Sequence, residues 1–341
     1  MKNLRKILLP FSWGYKGIMA LRNQAYEQGW FASHPFDFPL IGVGNLSMGG
    51  TGKSPMTEYL IRLVQDDYLP ATLSRGYGRN TSGFLEVQSG STAKQVGDEP
   101  LQFKQKFPEI SVVVDEDRVH GINKIIKNNI PAEVIVLDDV FQHRKVRPGF
   151  LILLTSYDAP FYGDYLLPAG NLRESRQGAQ RADIIVVTKC PSDLKKKVRE
   201  NIAKKVDKYT NSPVFFSQIT YDEQVRGAAH MHLNQFKNIP FTVVTGIANP
   251  QPFIDYLKGN GLTFPVERFP DHHNFTKKEL AALDKIPAIL TTEKDYMRLQ
   301  TQLKSAKLYY LPIQFSFLEN GIEFDKRILD FIRDCRATKE V

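Results

Sequence analysis

The sequence contains little cysteine and no long apolar run. Only Cys190 and Cys335 occur among its 341 residues, far apart and in no Cys-x-x-Cys pair. This count disfavours a disulfide framework and a structural zinc site, and it predicts a reducing compartment in which each thiol is a small packing residue. No stretch approaches the ~20 apolar residues that span a bilayer. A signal peptide is not expected either, because the N-terminal apolar segment is short and no small-residue cleavage site follows it.

The residues that are present have the composition of a soluble globular protein. Apolar residues make up 42% and charged residues 24% of the chain, so disorder, collagen-like repeats and coiled coil are not expected for the chain as a whole. At roughly 100–200 residues per domain, the length favours two domains or one large one. The net charge of +8 favours an acidic partner, which by charge alone is a nucleic acid, an anionic lipid or a phosphorylated substrate.

The first 30 residues predict an amphipathic helix for a membrane surface. Five positive charges precede the first acid, Glu27, and a basic helix with aromatic residues suits the interface of an anionic membrane. The alternative is an ordinary surface helix whose apolar face packs on the core. Pro10 is expected to kink or restart the helix. The apolar residues that share one helical face by their i, i+3, i+4 spacing are Leu4, Ile7, Leu8, Phe11, Tyr15, Ile18 and Met19.

Apolar runs alternate with helical stretches along the rest of the chain. Most runs are continuous rather than alternating, which is typical of parallel strands buried on both faces. Helical stretches such as 56–64 and 118–127 lie between them, so a layered α/β domain with a parallel sheet is predicted. The predicted strands are Phe38 to Val43, Leu69 to Leu73, Ile110 to Val114, Glu133 to Leu137, Phe150 to Leu154 and Ile184 to Val187.

A second set of α/β elements follows a boundary that we place near Thr220. This predicts an interfacial helix over residues 1–30, a larger domain over 31–220 and a smaller α/β domain over 221–341. The runs FFSQITY and YYLPIQFSF are candidates to pair as a ribbon that joins the two halves.

Residues 43–55, VGNLSMGGTGKSP, predict a phosphate-binding loop between a strand and a helix. Glycines let backbone N–H groups approach phosphate oxygens, and the helix N-terminus adds a positive dipole end. Lys53 is expected to reach the β- and γ-phosphates, and the Ser54 hydroxyl to bind Mg²⁺. Ser47 replaces the usual first glycine, and a glycine-rich turn without a ligand is the alternative. The expected nucleotide-binding residues are Ser47, Met48, Gly49, Gly50, Thr51, Gly52, Lys53 and Ser54. The fold class is therefore a P-loop NTPase-type parallel-sheet domain with a second, smaller α/β domain.

A second motif of this class ends a predicted strand. Residues 134–139, VIVLDD, place two carboxylates after four apolar residues, the pattern in which an Asp holds Mg²⁺ directly or through water. Adjacent side chains point to opposite faces of a strand, so one Asp is expected to serve the metal, and Asp138 is favoured over Asp139.

The nucleotide is predicted to be ATP. GTPases read guanine with an Asn-Lys-x-Asp sequence after a late strand. Thr188 and Lys189 have that placement, but Pro191 replaces the required acid. A nucleic-acid motor would need basic and aromatic residues interleaved around the core, and the sequence does not show them, so no nucleic-acid partner is expected.

Eight motifs in order resemble the tetraacyldisaccharide 4′-kinase family, from the N-terminal helix to about residue 300. The motifs are GNLS running into GGTGKSP (44–55), SRGYGR (74–79), GDEP (97–100), DR (117–118), DDVFQH (138–143), LPAGNLRE (167–174), FPDHH (269–273) and TEKD (292–295). The resemblance implies phosphorylation of the 4′-hydroxyl of a tetraacylated glucosamine disaccharide 1-phosphate, which gives lipid IVA in lipid A biosynthesis. It further implies ATP and Mg²⁺ as cofactors and a place at the cytoplasmic face of the inner membrane of a Gram-negative bacterium. The departure at Ser47 is common in this family's loop.

The resemblance also implies the roles of individual residues. Asp98 is the implied general base for the acceptor hydroxyl, paired with His272 from the second domain, and Glu99 is implied to join Ser54 and Asp138 around Mg²⁺. From the sequence alone, Asp98 is equally interpretable as the N-cap of the helix that follows it.

Three arginines, Arg75, Arg118 and Arg173, are candidates for contacts with the substrate, including its anomeric phosphate, because guanidinium forks fit phosphate. Each arginine is also interpretable as a surface or ion-paired side chain. Lys294 and Asp295 are expected on the second-domain side of the cleft. The alternative function is a P-loop NTPase whose output is a conformational switch or motor.

Overall fold

The computed structural model describes residues 4–271 and 273–337, which form two sheets with helices around them. The strands are β1 (Leu40–Asn45), β2 (Pro70–Ser74), β3 (Leu85–Glu86), β4 (Ser111–Val114), β5 (Val134–Asp138), β6 (Phe150–Ser156), β7 (Ile184–Thr188), β8 (Val214–Tyr221), β9 (Gln224–Gly227), β10 (Met231–His232), β11 (Thr242–Thr245), β12 (Val266–Arg268), β13 (Ala288–Thr291), β14 (Lys307–Tyr310) and β15 (Ile313–Phe317). The α-helices are α1 (Leu9–Glu27), α2 (Lys53–Val64), α3 (Ala93–Val96), α4 (Asp98–Lys106), α5 (Arg118–Lys127), α6 (Lys196–Val206), α7 (Leu233–Phe236), α8 (Gln251–Gly259), α9 (Lys277–Leu283), α10 (Glu293–Leu299) and α11 (Gly321–Ala337). Short 3-10 helices cover Leu4–Leu8, Phe161–Gly163 and Arg176–Arg181.

The larger sheet carries the predicted parallel core. Over the described residues its strand order is β15-β8-β7-β6-β1-β5-β2-β4-β3, and the strands from β4 through β8 in this order run parallel. The prediction of a parallel sheet is therefore confirmed. The carboxyl ends of its strands meet at one edge, where open α/β sheets bind their ligands.

Helices cover both faces of this sheet. Side chains alternate between the two faces along each strand, so Leu40 of β1 packs in one core with Ile122 of α5. Its neighbour Ile41 packs in the other core with Leu60 of α2 and Phe324 of α11. This two-sided burial is the physical reason that the strands read as continuous apolar runs.

The second α/β set forms a smaller sheet. In the described chain its strand order is β10-β9-β14-β13-β11-β12, with the four strands from β14 to β12 parallel. One face packs against Phe253 and Leu257 of α8, and the other packs against Leu283 of α9 and Leu299 of α10. α10 thereby lies beside the larger sheet's α4.

An antiparallel ribbon joins the two halves, as the two aromatic runs predicted. Ser217 of β8 lies opposite Phe317 of β15, and Tyr221 lies opposite Ile313. β15 therefore belongs to the larger sheet, and α11 packs on that sheet through Phe324. We propose that the smaller domain is the segment between β8 and β15, and that residues 313–337 return to the larger domain.

The N-terminal helix turns its large apolar side chains outward. It follows a 3-10 turn and begins at Leu9 with Pro10 in its first turn, which confirms that Pro10 restarts the helix. Its inner side contacts the protein through polar groups, with Ser12 Oγ donating to the Leu166 carbonyl at 3.0 Å and Tyr15 Oη donating to the Arg173 carbonyl at 2.8 Å. The outward residues, between 67% and 74% exposed, are Ile7, Phe11, Trp13, Ile18 and Leu21. The interpretation of an apolar face packed on the core is therefore wrong for these residues. No helix among the described residues is both long and apolar enough to cross a bilayer.

Candidate active site

The loop between β1 and α2 has the backbone that a phosphate cradle needs. Gly49 and Gly52 have φ angles of 108° and 88°, a left-handed region that residues with a Cβ rarely enter. The buried Asn45 fills the loop and donates Nδ2 to Thr51 Oγ1 at 2.7 Å. The N–H of Met48 donates to the Asn171 carbonyl at 2.7 Å. The Asn45 and Met48 hydrogen bonds thus fix the shape of the loop, and its backbone leads directly into the start of a helix.

Lys53 points toward the carboxyl end of β5. Its Nζ lies 3.5 Å from Asp139 Oδ1. Arg173 approaches the same carboxylate, with Nη2 at 2.9 Å from Oδ1, and also donates to Asn45 Oδ1. Burial opposes ionisation of Asp139, but the positive charges of Lys53 and Arg173 hold its pKa below the ordinary value. Asp139 is therefore an anion that orients two cations beside the loop.

Oxygen donors suited to Mg²⁺ converge at the start of α2. Ser54 Oγ donates to Glu99 Oε1 at 2.9 Å, and Asp138 lies buried nearby at the end of β5, with its Oδ1 unpaired among the described residues. No three His, Cys or acidic side chains in the described part of the chain converge closely enough to cage a metal alone. Mg²⁺ is ordinarily held by one or two carboxylates plus substrate phosphates, so Ser54, Glu99 and Asp138 fit this ion.

Charge around these donors also favours a cation. Burial and the neighbouring charge of Glu99 raise the pKa of Asp138. Burial opposes ionisation of Glu99 too, but the Lys294 ammonium, with Nζ at 2.8 Å from Oε1, keeps the pKa of Glu99 low. A cation placed between the two carboxylates would relieve the repulsion that raises the pKa of Asp138.

Asp98 opens α4 and is held by a helix of the smaller sheet. Gly97, rather than Asp98, occupies the N-cap position of α4, so the capping interpretation of Asp98 is wrong. Arg298 of α10 donates Nε and Nη2 to Asp98 Oδ2 at 2.8 and 2.5 Å. The buried Asp295 holds Arg298 in turn, with Oδ1 at 3.4 Å from Nη1, and accepts the Gly246 N–H at 2.8 Å through Oδ2. Both lobes therefore fix the position of the Asp98 carboxylate.

The three predicted substrate arginines lie in different surroundings. Arg75 is exposed at the end of β2, and Arg173 lies beside the loop. Arg118 is only 3% exposed, and it donates to the carbonyls of Asp115 and Asp138 at 2.6 and 3.3 Å. Arg118 thus supports the end of β5 through these two hydrogen bonds, whereas the side chains of Arg75 and Arg173 are more exposed than that of Arg118.

The predicted partner of Asp98, His272, lies outside the described residues, and its role remains a prediction. Lys294 contacts Glu99 from the smaller sheet, at the cleft position expected for the TEKD motif. The sequence prediction missed Arg298. A signal for it exists, since Arg298 follows Lys294 by four residues and Asp295 by three, which places the three side chains near one face of a helix.

Sequence comparisons match one family over the residues that form this site. The model of the family described as Tetraacyldisaccharide-1-P 4′-kinase matches residues 4–333. A tetraacyldisaccharide 4′-kinase of Flavobacterium johnsoniae is 45% identical over 98% of this chain and 99% of its own length. The protein of the same name from Bacteroides thetaiotaomicron is 38% identical over 97% of this chain and 94% of its own length.

A solved structure is similar over nearly the whole fold. The "apo" form of LpxK from Aquifex aeolicus, crystallised in complex with ATP, superposes with a TM-score of 0.78 at 30% identity. The similarity covers 96% of this chain and 99% of that one. Sequence and fold comparisons therefore agree over nearly the whole chain.

Proposed function

The chain belongs to the tetraacyldisaccharide-1-P 4′-kinase family, and we infer that it is an enzyme that transfers the γ-phosphoryl group of ATP to the 4′-hydroxyl of a tetraacylated disaccharide 1-phosphate. This reaction belongs to lipid A biosynthesis. The family membership and the ATP-bound structural neighbour support a kinase rather than a switch or motor.

One contact carries the mechanism: the hydrogen bond from Ser54 to Glu99, 2.9 Å long. It brings the start of α2, where the phosphates bind, to the start of α4, where Asp98 lies. The loop of residues 47–54 surrounds the phosphates in this proposal, with the Met48 N–H bonded to the Asn171 carbonyl instead, and Lys53 neutralises charge on the transferring group. Ser54, Glu99 and Asp138 would hold Mg²⁺, which would supply positive charge to neutralise the phosphates.

Asp98 is the general base in this mechanism. A carboxylate positioned next to the phosphate site can accept the proton of a sugar hydroxyl as the hydroxyl oxygen attacks. Arg298 holds Oδ2 of this carboxylate at a fixed distance. The role of His272 as the partner of Asp98 is supported by the family resemblance alone.

Arg75 and Arg173 bind the phosphorylated disaccharide in this proposal. Arg75 is exposed at the end of β2 and Arg173 is half-buried beside the phosphate loop, and guanidinium groups bind phosphate bidentately. For Arg118 the substrate contact stays a prediction, and its contacts with the Asp115 and Asp138 carbonyls support a role in holding the strand that carries Asp138.

The lipid substrate lies in a membrane, and α1 is the proposed contact with it. The exposed residues Ile7, Phe11 and Ile18 are separated by four and seven positions, so they form one outward stripe. The predicted positive charges are only partly available to lipid, because Arg5 donates to the Gly170 carbonyl at 2.7 Å and Arg22 to the Gln142 carbonyl at 2.9 Å. Apolar insertion is therefore the main proposed attachment. The relatives come from Gram-negative bacteria, which supports a place at the cytoplasmic face of the inner membrane.

Asp98→Asn tests the assigned reaction. The amide retains the size of the side chain but cannot accept the proton, so the rate of lipid phosphorylation is expected to fall about 10²- to 10⁴-fold. ATP affinity, measured by titration calorimetry, is expected to stay within about two-fold because the phosphate loop is unchanged. The readout is thin-layer separation of radiolabelled product from ATP and the disaccharide 1-phosphate.

The control is Asp66→Asn, which changes an exposed carboxylate outside the site and should leave the rate unchanged. Product formation by the Asp98 variant at the wild-type rate would reject Asp98 as the base. A wild-type protein that hydrolyses ATP but makes no phosphorylated lipid would reject the kinase assignment itself.

A further inference from the structure

A second cavity opens at the junction of the two sheets, away from the nucleotide site. Its volume is about 540 Å³, within the range of about 300–1,000 Å³ that ligand pockets occupy. α2 contributes Tyr59, Arg62 and Leu63 to its wall. At about 1.5 Å per residue, these side chains start roughly 9–15 Å along the helix from Lys53. Of the described residues that line the cavity, none belongs to the predicted active site.

Both lobes and the ribbon between them form the wall of this cavity. Lys106 and Phe107 line it from the end of α4, and Asp222 and Arg226 line it from the start of the smaller domain. Residues 312–315 complete the wall on the ribbon side. A molecule bound in this cavity would therefore contact helices of the larger sheet and strand β9 of the smaller sheet at the same time.

The charges that face the cavity are mainly positive. Three cations and one carboxylate line it: Arg62, Lys106, Arg226 and Asp222. The carboxylates that hold Lys106, Glu58 and Glu293, are only 2% and 5% exposed and are not part of the lining. Clefts lined mainly by one sign of charge attract ions of the opposite sign, so the cavity favours an anion.

The two arginines keep hydrogen-bond donors for such an anion. A guanidinium carries several N–H donors. Arg62 donates through Nη2 to Glu58 at 3.2 Å, and Arg226 donates through Nη2 to Asp222 at 3.3 Å. Neither guanidinium makes another hydrogen bond within the described part of the chain. The Arg62 guanidinium also lies over the Phe107 ring, 5.2 Å from its centroid, which positions it beside an apolar surface.

That apolar surface continues along the wall of the cavity. Phe107 and Phe315 are 8% and 7% exposed, and Leu63 lies beside them in the lining. We propose that the cavity binds a small organic anion that bridges the two lobes. Its carboxylate, sulfonate or phosphate group binds Arg62 and Arg226, and its apolar body packs against the two phenylalanines. This site is independent of the proposed function, because it uses neither the nucleotide nor the lipid substrate.

Arg62→Gln and Arg226→Gln test the anion contacts from the two lobes. The ligand is naphthalene-2-sulfonate, which carries one anionic group on a flat apolar body, and its binding is measured by ligand-observed saturation-transfer NMR. The wild type should bind it with a dissociation constant below about 1 mM. Each variant should bind it about ten-fold more weakly, as expected for loss of one charged hydrogen bond.

Uncharged 2-naphthol is the control ligand, and it should bind equally to the wild type and to both variants. Arg327→Gln is the matched control variant, because Arg327 also forms an i,i+4 ion pair, with Glu323 on α11. It should leave the affinity for the sulfonate unchanged. No binding of the sulfonate to the wild type at about 1 mM, or unchanged affinity in both arginine variants, would overturn the site. A loss in only one of the two variants would overturn the bridge between the lobes.

Gln314→Trp tests the same cavity by filling it, and it decides the proposal if an arginine variant does not fold. Gln314 is an exposed residue of β15 in the lining, so its replacement should leave the core intact while the indole ring takes up space in the cavity. Binding of naphthalene-2-sulfonate should be lost while the thermal unfolding transition stays that of the wild type. Undiminished binding would show that the sulfonate does not occupy this cavity.

Discussion

At the scale of single residues, His143 shows how the site sets protonation. Its Nε2 lies 3.4 Å from the backbone N–H of Arg118. Burial and the nearby Arg118 guanidinium lower the pKa of His143 to about 4, against 6.5 ordinarily. Lys145 and Arg22 act in the same direction, while Asp117 opposes them. The folded protein therefore keeps this imidazole neutral.

His143→Asn should reduce the loss of unfolding free energy that the protein shows as the pH falls. In the wild type the folded-state pKa lies below the unfolded one, so this residue's contribution is complete above pH 6.5 and is lost as the pH falls toward 4. The wild type should lose roughly 1–3 kcal/mol more than the variant over this window. Urea unfolding at several pH values measures it, and parallel profiles for the two proteins would contradict the lowered pKa.

The placement of residues in a local motif could be predicted from the sequence, whereas contacts between distant residues could not. Lys53 and Ser54 follow from a strand, glycines and a helix start within one short segment. Arg298 meets Asp98 across a separation of 200 residues, and neither residue's neighbours encode that pairing. The support of β5 by Arg118 is equally invisible, because burial of a guanidinium depends on the packing around it.

At the scale of elements, α1 shows that the spacing of apolar residues does not determine which side of a helix faces the protein. The sequence predicted one apolar face, but the structure divides it. Tyr15 and Met19 are half-buried against the protein, whereas Ile7, Phe11 and Ile18 point outward. A spacing of three and four residues shows that side chains share a face. It does not show which side of the helix meets the protein, since here polar groups such as Ser12 make the inner contacts.

Replacement of the three outward residues by serine, Ile7→Ser with Phe11→Ser and Ile18→Ser, should detach the protein from membranes. Each side chain contributes about 1–2 kcal/mol when its apolar surface leaves water, so the vesicle partition coefficient should fall at least about 10²-fold. Flotation with phosphatidylglycerol-containing vesicles measures the change, and ATP binding reports the intact fold.

Ile322→Ser is the matched control, because Ile322 is 87% exposed on α11, away from the outward stripe. It should float as the wild type does. Undiminished flotation of the triple variant would show that α1 is not the attachment, and the exposed Trp30 and Phe31 would then be the next residues to replace.

At the scale of the whole molecule, helices α4 and α10 join the two sheets through charge pairs. Lys294 meets Glu99, and Arg298 meets Asp98. Further along the helices, Lys106 bridges Glu58 and Glu293. The prediction of two α/β sets and an aromatic ribbon captured the architecture, because each set carries its own apolar pattern. The return of the final strand and helix to the larger sheet was not predicted, since it depends on which edge strand is left open.

Lys106→Met should weaken the junction of the two lobes. Nζ of Lys106 lies 2.6 Å from Glu58 and 2.8 Å from Glu293, and all three side chains are 13% exposed or less. Removal of the ammonium leaves two buried carboxylates facing each other, so unfolding free energy should fall by about 3 kcal/mol. Adding Glu293→Gln removes one of the charges and should recover much of this loss. Urea unfolding measures both variants. A single variant as stable as the wild type, or no recovery in the double variant, would show that this buried trio does not stabilise the contact between the sheets.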